Sequence, residues 1–166
     1  SKDLINFGLA TNFCPEDKLD KLIAQYIIDG SVSNYETETS SNFSNEKLDF
    51  IKKNFSGDIY EIFNNIGALI DQEKLISKLQ SKCPMSLAVT TLLIENSHNR
   101  TLKECLEIEY RLSQKMVNRH DFGEGIEAVL IEKHHNPSWE PNSIENINKD
   151  DLEKLFSSTI DNELKL

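Results

Sequence analysis

Three times in this chain a capping residue is followed three positions later by a glutamate and then by apolar residues at helical spacing. The pairs are Asp58 with Glu61, Thr101 with Glu104, and Asp121 with Glu124. Such a pair satisfies two of the N–H groups that a helix start leaves without partners, so each marks where a helix begins. The repetition restricts the chain to a succession of helices. "GLATNF", residues 8–13, is the only strand-like run. A lone strand cannot satisfy its own hydrogen-bond ladder. The expected fold class is therefore all-α as covered here, with at most one short strand near residues 9–13.

The remaining helices are read from periodicity and punctuation. "PEDKLDKLIAQYII" has Pro15 at a first helical position, acids in its first turn, and Leu19, Leu22, Ile23, Tyr26 and Ile27 on one face before Gly30. A polar loop near residues 30–44 follows, rich in Ser and Thr. "NEKLDFIKKNF" places Leu48, Ile51 and Phe55 at helical spacing, and Gly67 closes the helix opened by Asp58. Asp71 is expected to cap a helix running to about Ser81, with Leu75, Ile76 and Leu79 inward. "CPMSLAVTTLLIEN" is apolar nearly all round and should be the most buried helix. A last helix near Asp150 to Ser158 turns Leu152, Leu155 and Phe156 inward.

Composition narrows the function. A net charge of −10 and a pI near 4.9 argue against a general nucleic-acid binder, which needs a basic face to neutralise phosphates. No apolar run approaches membrane-spanning length, and no charged-then-apolar leader opens the chain, so no membrane partner is expected. The chain opens on Ser1 and not on Met, as a fragment or a processed chain does. Cys14, Cys83 and Cys105 are scattered and odd in number, which reads as reduced structural thiols. The sequons at Asn42, Asn54 and Asn99 are read as chance.

The stretch "RHDFGEGIEAVLIEKHHNPSW", residues 119–139, concentrates the residues that resemble chemistry. Read as a helix, Asp121 and Glu124 cap it. Phe122, Ile126, Val129 and Leu130 form its apolar face, and Lys133, His134 and His135 lie at its negative end. Pro137 stops it. The alternative is a metal site on Glu132-x-x-His135, but carboxylate-bridged bundles need a second such pair, and none occurs. Adjacent helical histidines also point about 100° apart. No metal site is expected. His98 and His120 flank helices at exposed positions, no serine sits on a strained elbow, and no phosphate loop is present. No catalytic residue is assigned.

"DLINFGLATNFCPEDKL", "KCPMSLAVTTLLIE" and "TLKECLEIEYRLSQKMVNRHDFGEGIEAVLIEKHHNPSW" together resemble the C-terminal half of the 3-hydroxyisobutyryl-CoA hydrolase family. That family is a branch of the crotonase, or enoyl-CoA hydratase/isomerase, superfamily. "EYRLSQ" followed by "HDF-EG--AVLI-K---P-W" carries the specificity. Hydratases of the superfamily tend to read "EG..AF.EKR.P.F" here. This chain has Val129 in place of their Phe, one more residue before the acidic–Lys pair, and Trp139 at the end.

The resemblance implies the C-terminal helical part of a crotonase-like α/β enzyme. Residues 1–14 would be the last elements of the core, and residues 15–166 a helical domain. The parent would hydrolyse an acyl-CoA thioester in valine breakdown, without a cofactor. Its oxyanion-binding N–H groups and carboxylates would lie upstream, leaving this chain alone inactive. Lys133 is the one residue carried over, as a contact to the CoA substrate. Implied partners are acyl-CoA and the N-terminal core, and self-association of the isolated segment is expected. The compartment would be the cytoplasm in a bacterium or the mitochondrial matrix in a eukaryote. A hydratase or isomerase parent, and a non-catalytic helical interaction module, are the rival readings.

Overall fold

The computed structural model describes residues 2–31, 43–69, 73–157 and 159–164. Most of the expected polar loop and the expected cap Asp71 lie outside the described residues. The described residues form helices and turns, with no strand among them. The helices are α1 (Lys2–Asn6), α2 (Leu19–Asp29), α3 (Asn45–Asn54), α4 (Ile59–Gly67), α5 (Glu73–Gln80), α6 (Pro84–Ser97), α7 (Leu102–Met116), α8 (His120–Ile126) and α9 (Lys149–Ser157). The chain divides into two compact units, Ser1–Lys53 and Asn54–Leu166.

In the first unit, the "GLATNF" run is a turn and loop. Gly8 takes a left-handed φ of 70°, and the N–H groups of Leu9 and Ala10 both donate to Leu4 O, at 2.8 and 3.1 Å. Those bonds close the end of α1, a five-residue helix that periodicity does not reveal. A single 3₁₀ turn, Glu16–Lys18, leads from Pro15 into α2. Gly30 ends α2 as expected, with a φ of 68° and its N–H donating to Tyr26 O at 2.9 Å.

The second unit holds the interior. Two capping boxes form as read from the sequence. Asp58 accepts from Glu61 N at 2.9 Å while Glu61 accepts from Asp58 N at 3.0 Å, and Thr101 pairs with Glu104 in the same way. They orient α4 and α7, whose inward residues include Ile62, Ile66, Ile108 and Leu112. α6 is central, lying against α4, α9 and the 3₁₀ turn Ile144–Asn146. It buries Pro84, Met85, Ala88 and Val89, in keeping with its apolar surround. α9 is capped by Asn148, whose Oδ1 accepts from Asp150 N at 2.9 Å, and it buries Leu152.

The last described residues return across α7. Arg111 donates to Glu163 through Nε at 2.9 Å and Nη2 at 3.0 Å, a two-pronged pair that fixes both position and orientation. Lys115 Nζ donates to Leu155 O at 2.6 Å nearby.

Candidate functional site

The stretch 119–140 departs from the simple helix expected of it. α8 ends at Ile126 and opens into a wider π turn, Glu127–Ile131, in which Glu132 N donates to Glu127 O at 2.8 Å. Such a turn contains one residue more than an α turn and recurs at functional positions. Helical structure stops at Ile131. Lys133 and His135 both take left-handed φ values, 59° and 58°, which cost a non-glycine residue about 1–2 kcal/mol each. His134 and His135 therefore lie in a loop, which corrects the expectation that they extend the helix to Pro137. Lys133 occupies the left-handed position after the helix cap that glycine usually fills.

The expected capping box at Asp121 does not form. Arg119 is the N-cap, without a side-chain bond, and Asp121 lies inside the first turn at 5% exposure. Its Oδ1 accepts from Glu140 N at 2.7 Å, and Oδ2 is 3.4 Å from Arg119 Nη2. Arg119 Nη2 also donates to Glu140 O at 2.9 Å, while the buried Arg119 Nε has no partner. Glu124 Oε1 accepts from Ser138 N at 2.6 Å, and His120 Nε2 is 3.1 Å from Ser138 O. Both carboxylates thus hold main-chain N–H groups of the returning loop and not those of their own helix.

Trp139 completes this clasp. Its Nε1 donates to Ser81 O at 3.2 Å, and its ring lies over Gly125, where an added Cβ would come within 3.2 Å of Cη2. Gly125 is glycine because the ring passes there. The buried Cys83 thiol is pushed up by burial, by the nearby Asp121 charge and by a hydrogen bond with Asp121, against hydrogen bonds from Ser86 that pull it down. A raised thiol is a poor nucleophile.

The π turn also redistributes the apolar residues. Phe122, Val129, Leu130 and Ile131 are 48, 41, 66 and 69% exposed, and the fully covered residue is Ala128. The single inward face expected for Phe122, Ile126, Val129 and Leu130 is not what forms. The His134 ring accepts from Asn136 N at Nδ1, 3.0 Å away, so Nε2 carries the hydrogen and donates to Glu132 Oε2 at 3.1 Å. Among the described residues no three His, Cys, Asp or Glu side chains come together as metal ligands would. A separate open groove of about 580 Å³ runs between α4, α5 and α6, lined by Ile59, Ile62, Phe63, Leu87 and Ile94 with Glu95 and His98 at one wall.

The chain matches the enoyl-CoA hydratase/isomerase family over residues 1–156. It belongs to that family. Among curated members, the mitochondrial 3-hydroxyisobutyryl-CoA hydrolase of Homo sapiens is 32% identical over 184 residues, covering 99% of this chain and 47% of the relative. The hydrolase of Xenopus laevis is 31% identical, with the same coverage. Among solved structures, an enoyl-CoA hydratase from Rhodobacter sphaeroides 2.4.1 superposes with a TM-score of 0.80 at 25% identity, covering 93% of this chain and 47% of that one. A carnitinyl-CoA dehydratase from Mycobacterium thermoresistibile gives 0.79 at 25% identity, covering 98% of this chain and 48% of the other. The chain spans about half the length of the relatives it matches, and is part of the crotonase fold that they share.

Within this family member, the structure places Lys133 on an exposed loop whose two flanks are fixed. The π turn holds one side, and the clasp on Ser138–Glu140 holds the other. No helix of the described residues is long and apolar enough to cross a membrane.

Proposed function

We propose that this chain is the C-terminal helical part of a 3-hydroxyisobutyryl-CoA hydrolase-like enzyme. Its parent would cleave the thioester with water to give 3-hydroxyisobutyrate and CoA, a step of valine breakdown. The observation that carries this reading is the 32% identity with the human hydrolase across 99% of this chain. The "AVLIEK…P.W" spacing of residues 128–139 supports the hydrolase branch.

In this reading residues 1–14 are the last elements of the catalytic core and residues 15–166 the helical domain beside it. Thioester hydrolysis needs two hydrogen-bond donors aimed at the developing oxyanion and a carboxylate to direct water. Those groups belong to the preceding half of the parent. What this chain contributes is a wall of the acyl-CoA site and one cation. Lys133, in its left-handed setting between the π turn and the clasp, would meet a CoA phosphate. Hydrolysis needs no cofactor. The parent would work in the mitochondrial matrix of a eukaryote, as the compartment in the relatives' names suggests, or in the cytoplasm of a bacterium.

The purified chain is expected to release no CoA from 3-hydroxyisobutyryl-CoA above the uncatalysed rate, while the intact parent turns it over. Full turnover by the chain alone would refute the assignment of the catalytic groups to the other half. A hydratase parent is the second reading, favoured by the superposition on the Rhodobacter sphaeroides enzyme. It requires the parent to hydrate an enoyl-CoA faster than it hydrolyses the hydroxyacyl thioester. A parent that does neither is the interaction module.

A further inference from the structure

One side chain spans the strained exit from the π turn. His134 lies between two left-handed residues, Lys133 at a φ of 59° and His135 at 58°. Its ring reaches both ways along the loop. Nδ1 accepts from Asn136 N at 3.0 Å, and Nε2 donates to Glu132 Oε2 at 3.1 Å. Residues 132, 134 and 136 are thereby tied to one another, while the two residues between them take the left-handed turns. His135 N donates to Ala128 O at 3.0 Å and joins the same loop to the π turn. The clasp begins only at Ser138, beyond Pro137.

We propose that His134 is a positioning residue for Lys133, its ring holding the loop in the form that presents the lysine amine to a CoA phosphate. The proposal rests on the reading of Lys133 as the CoA contact. Two effects of the ring combine. The Nδ1 bond to the main chain two residues on is the kind that stabilises tight turns, and it opposes the tendency of Lys133 and His135 to leave the left-handed region. The Nε2 bond engages the carboxylate of Glu132, the acid next to Lys133 in sequence. Among the described residues none forms an ion pair with Lys133, whose exposed amine is left to an external anion.

Urea denaturation of the full chain tests the coupling between the two residues. Glycine at position 133 gains only where the ring enforces the left-handed form. Lys133→Gly should therefore raise the midpoint of the wild-type chain, but not that of His134→Leu. His134→Asn, whose Oδ1 stands close to the place of Nδ1, should restore the gain. An equal gain in the leucine background, or none in the wild type, overturns the positioning role.

Kinetics of the intact parent test the consequence. His134→Leu should raise KM for 3-hydroxyisobutyryl-CoA about two- to fivefold at unchanged kcat, the scale of one exposed ion pair. His134→Asn should restore KM, and adding Lys133→Ala to His134→Leu should raise it no further. The corresponding pantetheine thioester, which has no phosphate, should show the same KM with all of these variants. A rise in KM that the pantetheine thioester shares overturns the proposal, since a general loss of structure produces it. Lys133→Ala with a wild-type KM refutes the CoA reading itself, whatever the urea midpoints show. Equal glycine gains in the urea series refute the role of His134 and leave that reading standing.

Discussion

Replacing Gly125 by alanine, with Gly123→Ala as its internal control, isolates the Trp139 clasp. Both glycines lie in α8, where alanine is favoured over glycine by about 1 kcal/mol. A Cβ at Gly123 meets nothing within 4 Å, so Gly123→Ala should collect that gain and stabilise the protein. A Cβ at Gly125 lands 3.2 Å from Trp139 Cη2 and 3.4 Å from Cζ3. The ring cannot back away freely, because its Nε1 is bonded to Ser81 O and its main chain is flanked by the Asp121 and Glu124 bonds. Overpacking of this kind costs about 1–3 kcal/mol. Set against the propensity gain, Gly125→Ala should range from neutral to about 2 kcal/mol destabilising, some 1–3 kcal/mol below Gly123→Ala. Urea denaturation measures both differences. Trp139 is the chain's single tryptophan, so its emission reports the same site directly and should change only in Gly125→Ala. Equal stabilisation by both alanines, with emission unchanged, would refute the ring-over-glycine packing.

Three further outcomes follow from other contacts. Asp121→Ala removes the buried carboxylate that accepts from Glu140 N and pairs with Arg119, and should cost about 1–3 kcal/mol, with faster proteolytic cleavage between residues 132 and 141. Lys133→Gly removes left-handed strain and should stabilise the chain by about 1 kcal/mol in urea, while weakening CoA retention by the parent if the amine meets a phosphate. The bond from Arg111 holds Glu163 below its ordinary 4.5, with burial opposing. A lowered carboxylate stabilises the folded state above its unfolded value and loses that contribution as pH falls through the folded one. The protection factor of the Ile160 N–H, which donates to Glu163 Oε1 at 3.2 Å, should therefore be highest at neutral pH and fall as pH drops below 4.5, a dependence that Glu163→Gln abolishes.

What could be read from the sequence divides along the reach of each interaction. Asp58–Glu61 and Thr101–Glu104 are complete within four residues, and both formed as spelled out. Asp121–Glu124 has the same spelling, yet its acceptors went to Glu140 N and Ser138 N, 19 and 14 residues away. A local pattern cannot register that competition, because it is decided by where the chain returns. Two glycines inside a helical pattern were the available signal, since a conspicuous loss of helix propensity invites a packing reason. Gly125 had one, in Trp139. The apolar spacing of α2 was also legible, whereas what covers it was not, because none of the residues of α2 is buried.

The π turn at Glu127–Ile131 bears on how the branches of this family are compared. The hydrolase-like pattern has one more residue before its acidic–Lys pair than hydratases tend to have. A turn closed by an i to i+5 bond accommodates one residue beyond an α turn, and does so inside the helix. A bulge of this kind is one way to hold an extra residue without breaking the helix that precedes it. An alignment that opens a gap in the loop before Pro137 would shift Lys133 onto the wrong partner column. Placing one gap within residues 127–131 brings Lys133 into line with the lysine of the hydratase pattern, and a second extra residue falls between Lys133 and Pro137. Lys133 could then be matched to hydratase lysines by position in space, despite its displaced position in sequence.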